Sequence, residues 1–291
     1  MRKIIFLGAL IGLIAFSCAR LDSFLFNPYK TDEYKLDAYD GKLQFRLGPE
    51  FDIPQDKIHL FSISSQGYKI WGIYIGDTTT ISSDTVILYC HGNTGHIDYY
   101  WQRAKLLAHV GGKLRYGVLI FDYRGYGKSE GEPSEEAIYE DTKAMMQWLK
   151  DKGLTGDRLV IYGYSMGTAP ATYWSSHDGP LTPRWLILEA PFASAELMVQ
   201  DGAYFVLPKQ YVTDLEINNA EWIKNAKAPL LLFHGTEDKL LALDPHGKTV
   251  FDNHPGPKQA VFVEGATHSD VPVILGIEAY ISEIYNFIKS H

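Results

Sequence analysis

Short apolar runs recur along the chain from residue 58 onward. Most end in a glycine-bearing loop, and several are followed by a stretch whose apolar positions fall at helical spacing. Two of them, IHLFSIS and KIWGIYI, are separated by Ser-Gln-Gly, which predicts a β-hairpin. The runs VILYC (86–90), GVLIF within GVLIFDYRGYG (117–127), LVIY (159–162), WLILEA (185–190), PLLLFHG (229–235) and QAVFVEG (259–265) show no alternation. Such runs suit strands of a parallel sheet, which are buried on both faces. Residues 98–109 and Val273 to Ile288 carry apolar positions at helical spacing. Pro133 and Ser134 open EEAIYEDTKAMMQWLKDKG, with acids crowding its start, lysines its end and Gly153 closing it. That is the pattern of a capped helix matched to its dipole. Strands alternating with helices predict an α/β architecture over residues 58–291: a mostly parallel, twisted central sheet with helices on both faces.

Two segments do not fit the alternation. Residues 191–228 contain Pro191 and Pro208 and are long for a connection. They read as a small cap over the C-terminal edge of the sheet, where α/β proteins bind ligands. Residues 18–57 are polar, rich in tyrosine and weakly periodic, and read as a tether and lead-in segment.

The first residues are of another kind. Arg2 and Lys3 precede the apolar stretch Ile4 to Phe16, and Ser17 and Cys18 follow. The stretch is short for a membrane span and suits a signal peptide over residues 1–17. It resembles a bacterial lipoprotein signal. That resemblance implies cleavage before Cys18, a lipid on Cys18, and a protein held at the bacterial cell envelope facing away from the cytoplasm. A plain N-terminal membrane anchor is the alternative. Cleavage takes the net charge from −8 to −10. With no long basic run, this balance argues against nucleic acid as a partner. Cys90 is then left without a partner and reads as a small buried hydrophobe.

The candidate chemistry lies in the loops after the strands. Ser165 sits in GYSMG between two glycines, directly after an apolar strand. A tight turn explains that pattern. So does a strained elbow that projects a nucleophilic hydroxyl from the sheet. Serine needs a base, and the base needs an orienting acid. Asp238 follows PLLLFHG, and His268 follows QAVFVEG, so both fall in loops at the C-terminal ends of neighbouring strands. Glu237, Asp244 and Glu189 are alternative acids. His234, His246 and His254 read as structural or exposed, and Asp270 as a helix cap. Oxyanion donors are expected from Met166 N–H and from Asn93 in HGNTG, where Gly92 permits close approach of the backbone.

HGNTG, FDYRGYGKSEGEPSEE, GYSMG, HGTED and GATHSD, in this order, resemble the α/β-hydrolase superfamily. They are most similar to the α/β-hydrolase-domain serine hydrolases that include protein depalmitoylases and many bacterial members. The likeness covers about residues 58–290. It implies a serine hydrolase acting on an ester or thioester, with no cofactor, as a monomer on a small-molecule or acylated substrate. A peptidase or amidase, and a non-catalytic binding lipoprotein, are the rivals. Asp122 and Arg124 read as braces for the loops. No metal site is implied, because the histidines lack the paired spacing of zinc hydrolases. Pro170 departs from a regular helix after the serine and predicts a kink there.

Overall fold

The computed structural model describes residues 25–203 and 213–291. Its eight-stranded sheet consists of β1 (Ile58–Ser65), β2 (Tyr68–Ile75), β3 (Val86–Cys90), β4 (Gly117–Phe121), β5 (Leu159–Tyr164), β6 (Trp185–Glu189), β7 (Leu230–Gly235) and β8 (Lys258–Val263). The spatial order is β8-β7-β6-β5-β3-β4-β2-β1. β1 and β2 form the predicted hairpin, and β2 pairs antiparallel with β4. Gln66 and Gly67 both have positive φ in the hairpin turn, as a type I′ connection requires. All other neighbours in the sheet are parallel. Every residue of β3, β4, β5, β6 and β7 is buried, which explains their unbroken apolar runs.

Helices cover both faces: α1 (Ile97–Leu107), α2 (Glu135–Asp151), α3 (Thr168–Ser176), α4 (Ala195–Ala203), α5 (Asn219–Trp222), α6 (Thr249–Asn253), α7 (Val271–Leu275) and α8 (Ile277–Ser290). Trp101 of α1 and Ile284 of α8 lie in one core layer. Met145 of α2 and Ala171 of α3 lie in the other. The Ser134 hydroxyl accepts from Ala137 N–H at 3.1 Å, so α2 starts where the cap predicted. From β3 the chain crosses to β4 on one side and then to β5 on the other, so the loops after β3 and β5 meet at the switch point of the sheet. Ligand sites of open α/β sheets form there.

Three expectations need correction. The final helix is two helices, because Gly276 has φ +95° and cannot continue a right-handed turn. Pro170 produces no kink. Residues Ser165–Gly167 form a 3₁₀ turn and α3 begins only at Thr168, so Pro170 falls in its first turn, where a backbone N–H has no helical partner to lose. The tether expected over residues 18–57 is, from Leu25 onward, built into the domain. Leu25, Phe51 and Ile53 are buried, and the backbone N–H groups of Lys35 and Leu36 donate to the buried Asp98 carboxylate. Hydrogen-bond demand and a few apolar anchors fix this segment, neither of which has a sequence period. In the segment read as a cap, Phe192 is fully buried in the core. The two ends of that segment are joined to each other, Ala195 N–H donating to Ile217 O at 2.9 Å and Asn219 Nδ2 to Phe192 O at 2.9 Å. Tyr204, Phe205, Val206, Leu207 and Tyr211 of the same segment lie outside the described residues.

Candidate active site

Ser165 follows β5 with φ +52°. A non-glycine residue pays about 1–2 kcal/mol for that conformation, and such strain is kept where a side chain must point in one direction. The flanking glycines answer to specific close approaches. A Cβ on Gly163 would lie 2.5 Å from Gly167 O, and one on Gly167 would lie 2.0 Å from Cys90 O. The turn therefore packs against the end of β3, and α3 crosses directly over β5.

His268 Nε2 lies 2.9 Å from Ser165 Oγ, and His268 Nδ1 lies 2.7 Å from Asp238 Oδ2. Asp238 belongs to the loop after β7 and His268 to the loop after β8. The two loops are tied together by backbone bonds, Thr236 N–H to Val263 O and Glu237 N–H to Ala266 O. Gly235 lets them close, since a Cβ there would meet Ala266 O at 2.2 Å. The other Asp238 oxygen accepts from the N–H groups of Leu240 and Leu241, both at 2.9 Å. Burial pushes the Asp238 carboxyl up. The hydrogen bond and charge of His268, with the Leu241 N–H, outweigh burial and hold it below its ordinary value. Asp238 is thus an anion aimed at one ring nitrogen of His268, while the other faces Ser165. Such a chain can draw a proton from the serine hydroxyl.

Met166 follows Ser165 and is buried. Asn93 lies in the loop after β3, between Gly92 and the short pairing of Thr94–Gly95 with Asn27–Pro28. A Cβ on Gly92 would lie 2.9 Å from the Tyr100 hydroxyl and 3.2 Å from the Tyr164 ring. Asp122 braces the loop after β3, whereas Arg124 ties the loop after β4 to α2 and to the hairpin turn through Gln66. Asp122 accepts from Ile97 N–H at 2.9 Å and the Tyr34 hydroxyl at 2.5 Å, and Arg124 pairs with the buried Asp141 at 2.7 Å. Cys18 lies outside the described residues.

Residues 85–196 match the family model described as alpha/beta hydrolase fold. The human "Alpha/beta hydrolase domain-containing protein 17B" is 30% identical over 237 residues, covering 81% of this chain and 76% of the relative. The chain belongs to the alpha/beta hydrolase family. "Alpha/beta hydrolase domain-containing protein aho-3" of Caenorhabditis elegans is 29% identical over 208 residues, 71% of this chain. The chain spans only 58% of the length of that relative and 62% of the Xenopus laevis 17B protein. Among solved structures, the Pyrococcus furiosus esterase Pf2001 superposes with a TM-score of 0.67 at 21% identity, over 91% of this chain and 98% of that one. The Rhodococcus sp. esterase RhEst1 superposes at 0.59 with 18% identity, over 80% and 99%. At these identities the likeness establishes the fold.

Two of the three alternative acids are occupied elsewhere. Glu237 and Asp244 are exposed, and Asp244 pairs with Lys248. Glu189 is buried against Arg103, Tyr162 and Tyr280. Asp270 precedes α7, but its side chain accepts from Thr267 N–H at 2.6 Å rather than capping the helix. Three further histidines are buried and structural. His234 bonds to Leu241 O at 2.8 Å, His246 joins Ala193 N–H to the Asp201 carboxylate, and His254 bonds to Ala228 O at 2.9 Å.

Burial holds His109, His234, His246 and His254 below their ordinary pKa. In the unfolded chain these imidazoles take up protons near pH 6.5, while the folded chain still excludes them. The unfolded state then binds more protons, so stability rises with pH. The contribution is complete above about pH 6.5 and is lost as pH falls below it, by up to about 1.4 kcal/mol per pH unit for each histidine. Urea unfolding at pH 7.5, 6.5 and 5.5 is expected to show a midpoint falling stepwise. An unchanged midpoint would refute the burial argument.

Proposed function

We propose that this protein is a serine hydrolase that cleaves carboxylic esters or thioesters through an acyl-enzyme intermediate. The observation that carries this reading is the continuous chain Ser165–His268–Asp238, with both hydrogen bonds under 3 Å. Ser165 Oγ attacks the acyl carbon as His268 Nε2 takes its proton, and Asp238 stabilises the imidazolium. Met166 N–H, with a donor from the Asn93 loop, receives the negative charge of the tetrahedral oxygen; one such donor is worth about 3 kcal/mol. His268 then returns the proton to the leaving oxygen or sulfur, and water repeats the sequence to free the acid. The superposed Pyrococcus furiosus and Rhodococcus proteins are esterases, which supports an ester over an amide substrate. A panel of p-nitrophenyl esters of graded chain length, run beside aminoacyl anilides, tests this. Turnover of anilides alone would move the enzyme to the peptidases, and turnover of neither would leave a binding protein.

We further propose that the enzyme is anchored through a lipid on Cys18. Asn27–Pro28 pairs with Thr94–Gly95, beside Asn93. The chain therefore enters the domain at the same sheet edge as the candidate site. Cys18 precedes Leu25 by seven residues, a reach of at most about 25 Å. An anchor there holds this edge toward the bilayer, which favours acyl substrates at a membrane. Stable anchoring needs more than one acyl chain. Mass spectrometry of the mature N-terminus is expected to find Cys18 acylated, and an unmodified chain beginning at Met1 would refute it.

A further inference from the structure

A buried ionic cluster stands behind the histidine loop. The Arg103 side chain of α1 is 1% exposed and that of Glu189, at the end of β6, is 0% exposed. Arg103 Nη1 donates to both Glu189 oxygens at 2.7 Å, and the Tyr162 and Tyr280 hydroxyls also donate to that carboxylate. The remaining Arg103 nitrogens point elsewhere. Nε donates to Gln44 Oε1 at 3.0 Å, and Nη2 donates to the carbonyl of Ser269, the residue after His268, also at 3.0 Å. The guanidinium also lies 4.2 Å from the ring centre of Tyr164, the residue before Ser165. The Tyr164 hydroxyl donates to the His268 carbonyl at 3.1 Å and accepts from Gln44 Nε2 at 2.8 Å.

One cation thus touches the neighbours of both reacting side chains. Stability alone is a weak reason to bury such a pair, since well-packed apolar replacements are often neutral or better. Its geometry uses what only arginine offers, a rigid fork whose separate arms grip different partners. We propose that Arg103, clamped by Glu189, is a positioning residue that fixes the His268–Ser269 backbone and the Tyr164 ring, and so sets the separation of His268 Nε2 from Ser165 Oγ. This rests on Ser165 and His268 acting as nucleophile and base. It also gives Gln44, in the lead-in segment, a part in the site.

The test is steady-state and burst kinetics on a p-nitrophenyl ester with the full chain, well below the unfolding temperature. Arg103→Lys keeps a charge beside Glu189 but cannot reach Ser269 at the same time. A misplacement near 1 Å is expected to lower kcat and the acylation burst about 10- to 100-fold, with KM within about twofold. Arg103→Met/Glu189→Gln removes both charges, leaves no unpaired carboxylate, and is expected to be equally slow. Tyr164→Phe keeps the ring and is expected to lose a few-fold in kcat. A purely structural role would lower the thermal midpoint and leave kcat of the folded enzyme unchanged. Wild-type kcat in either folded Arg103 variant overturns the proposal. If neither folds, wild-type kcat in Tyr164→Phe overturns it. No ester hydrolysis by the wild type overturns the underlying function instead.

Discussion

Ser165→Ala is expected to lose at least about 10⁴-fold in ester turnover and all labelling by a fluorophosphonate probe, while folding normally. Only Oγ is removed. Alanine tolerates φ +52° no worse than serine, and Gly163 and Gly167, whose missing side chains admit the crossing of α3 over β5, are untouched. The hydroxyl makes its hydrogen bond to His268 Nε2 at 2.9 Å, and the Ser165 carbonyl still accepts from the Thr168 hydroxyl. The effect is therefore chemical, and circular dichroism and the unfolding midpoint should match wild type. Residual hydrolysis would come from the oxyanion donors and from binding alone. A folded alanine variant that labels or turns over like wild type would remove Ser165 from the mechanism.

Asp238→Asn is expected to lower turnover by up to about 10⁴-fold, the size of the corresponding loss in a serine protease. Asparagine fills the same space. Its oxygen can still accept from Leu240 and Leu241 N–H, but the group facing His268 Nδ1 then carries no charge and can present N–H instead of a carboxylate oxygen. An N–H facing Nδ1 favours the tautomer with the proton on Nε2, which cannot accept one from Ser165, and loss of the charge weakens support for the imidazolium. Because the hydrogen bond and charge of His268, with the Leu241 N–H, outweigh burial and hold the Asp238 carboxyl below its ordinary value, the carboxylate also adds stability. That part is present above about pH 3.9, the usual unfolded value, and is lost as pH falls through the folded one. Asp238→Asn and His268→Ala combined should be little worse than the worse single variant, since such residues act as a unit. Glu189→Gln, which only loosens the hold on Arg103, is expected to cost far less. Near-full activity in Asp238→Asn with loss of activity in Glu189→Gln would make Glu189 the acid.

The strands were legible because a parallel sheet buries both faces, so β3, β5, β6 and β7 read as apolar runs that nothing else explains. The candidate residues were legible because loops after consecutive parallel strands must emerge on one edge. Ser165, Asp238 and His268 could be nominated from their place after a strand, without knowing any distance. Capping chemistry marked the start of α2 in the same local way.

The chain by itself therefore determined the α/β order of elements, the hairpin and the edge where chemistry would gather, since each follows from a local period, a turn residue or a cap. Tertiary structure decided the rest. It joined Asp238 to His268 rather than Glu189, because Glu189 is held by Arg103, 86 residues away in sequence. It built residues 25–57 into the domain through buried polar groups such as Asp98, whose partners have no periodic signature. It split the last helix at Gly276 through a backbone angle that glycine permits but does not announce. It also brought Arg103 beside the loop carrying His268, 165 residues on, because contacts between distant segments depend on how layers pack and not on any pattern within one of them.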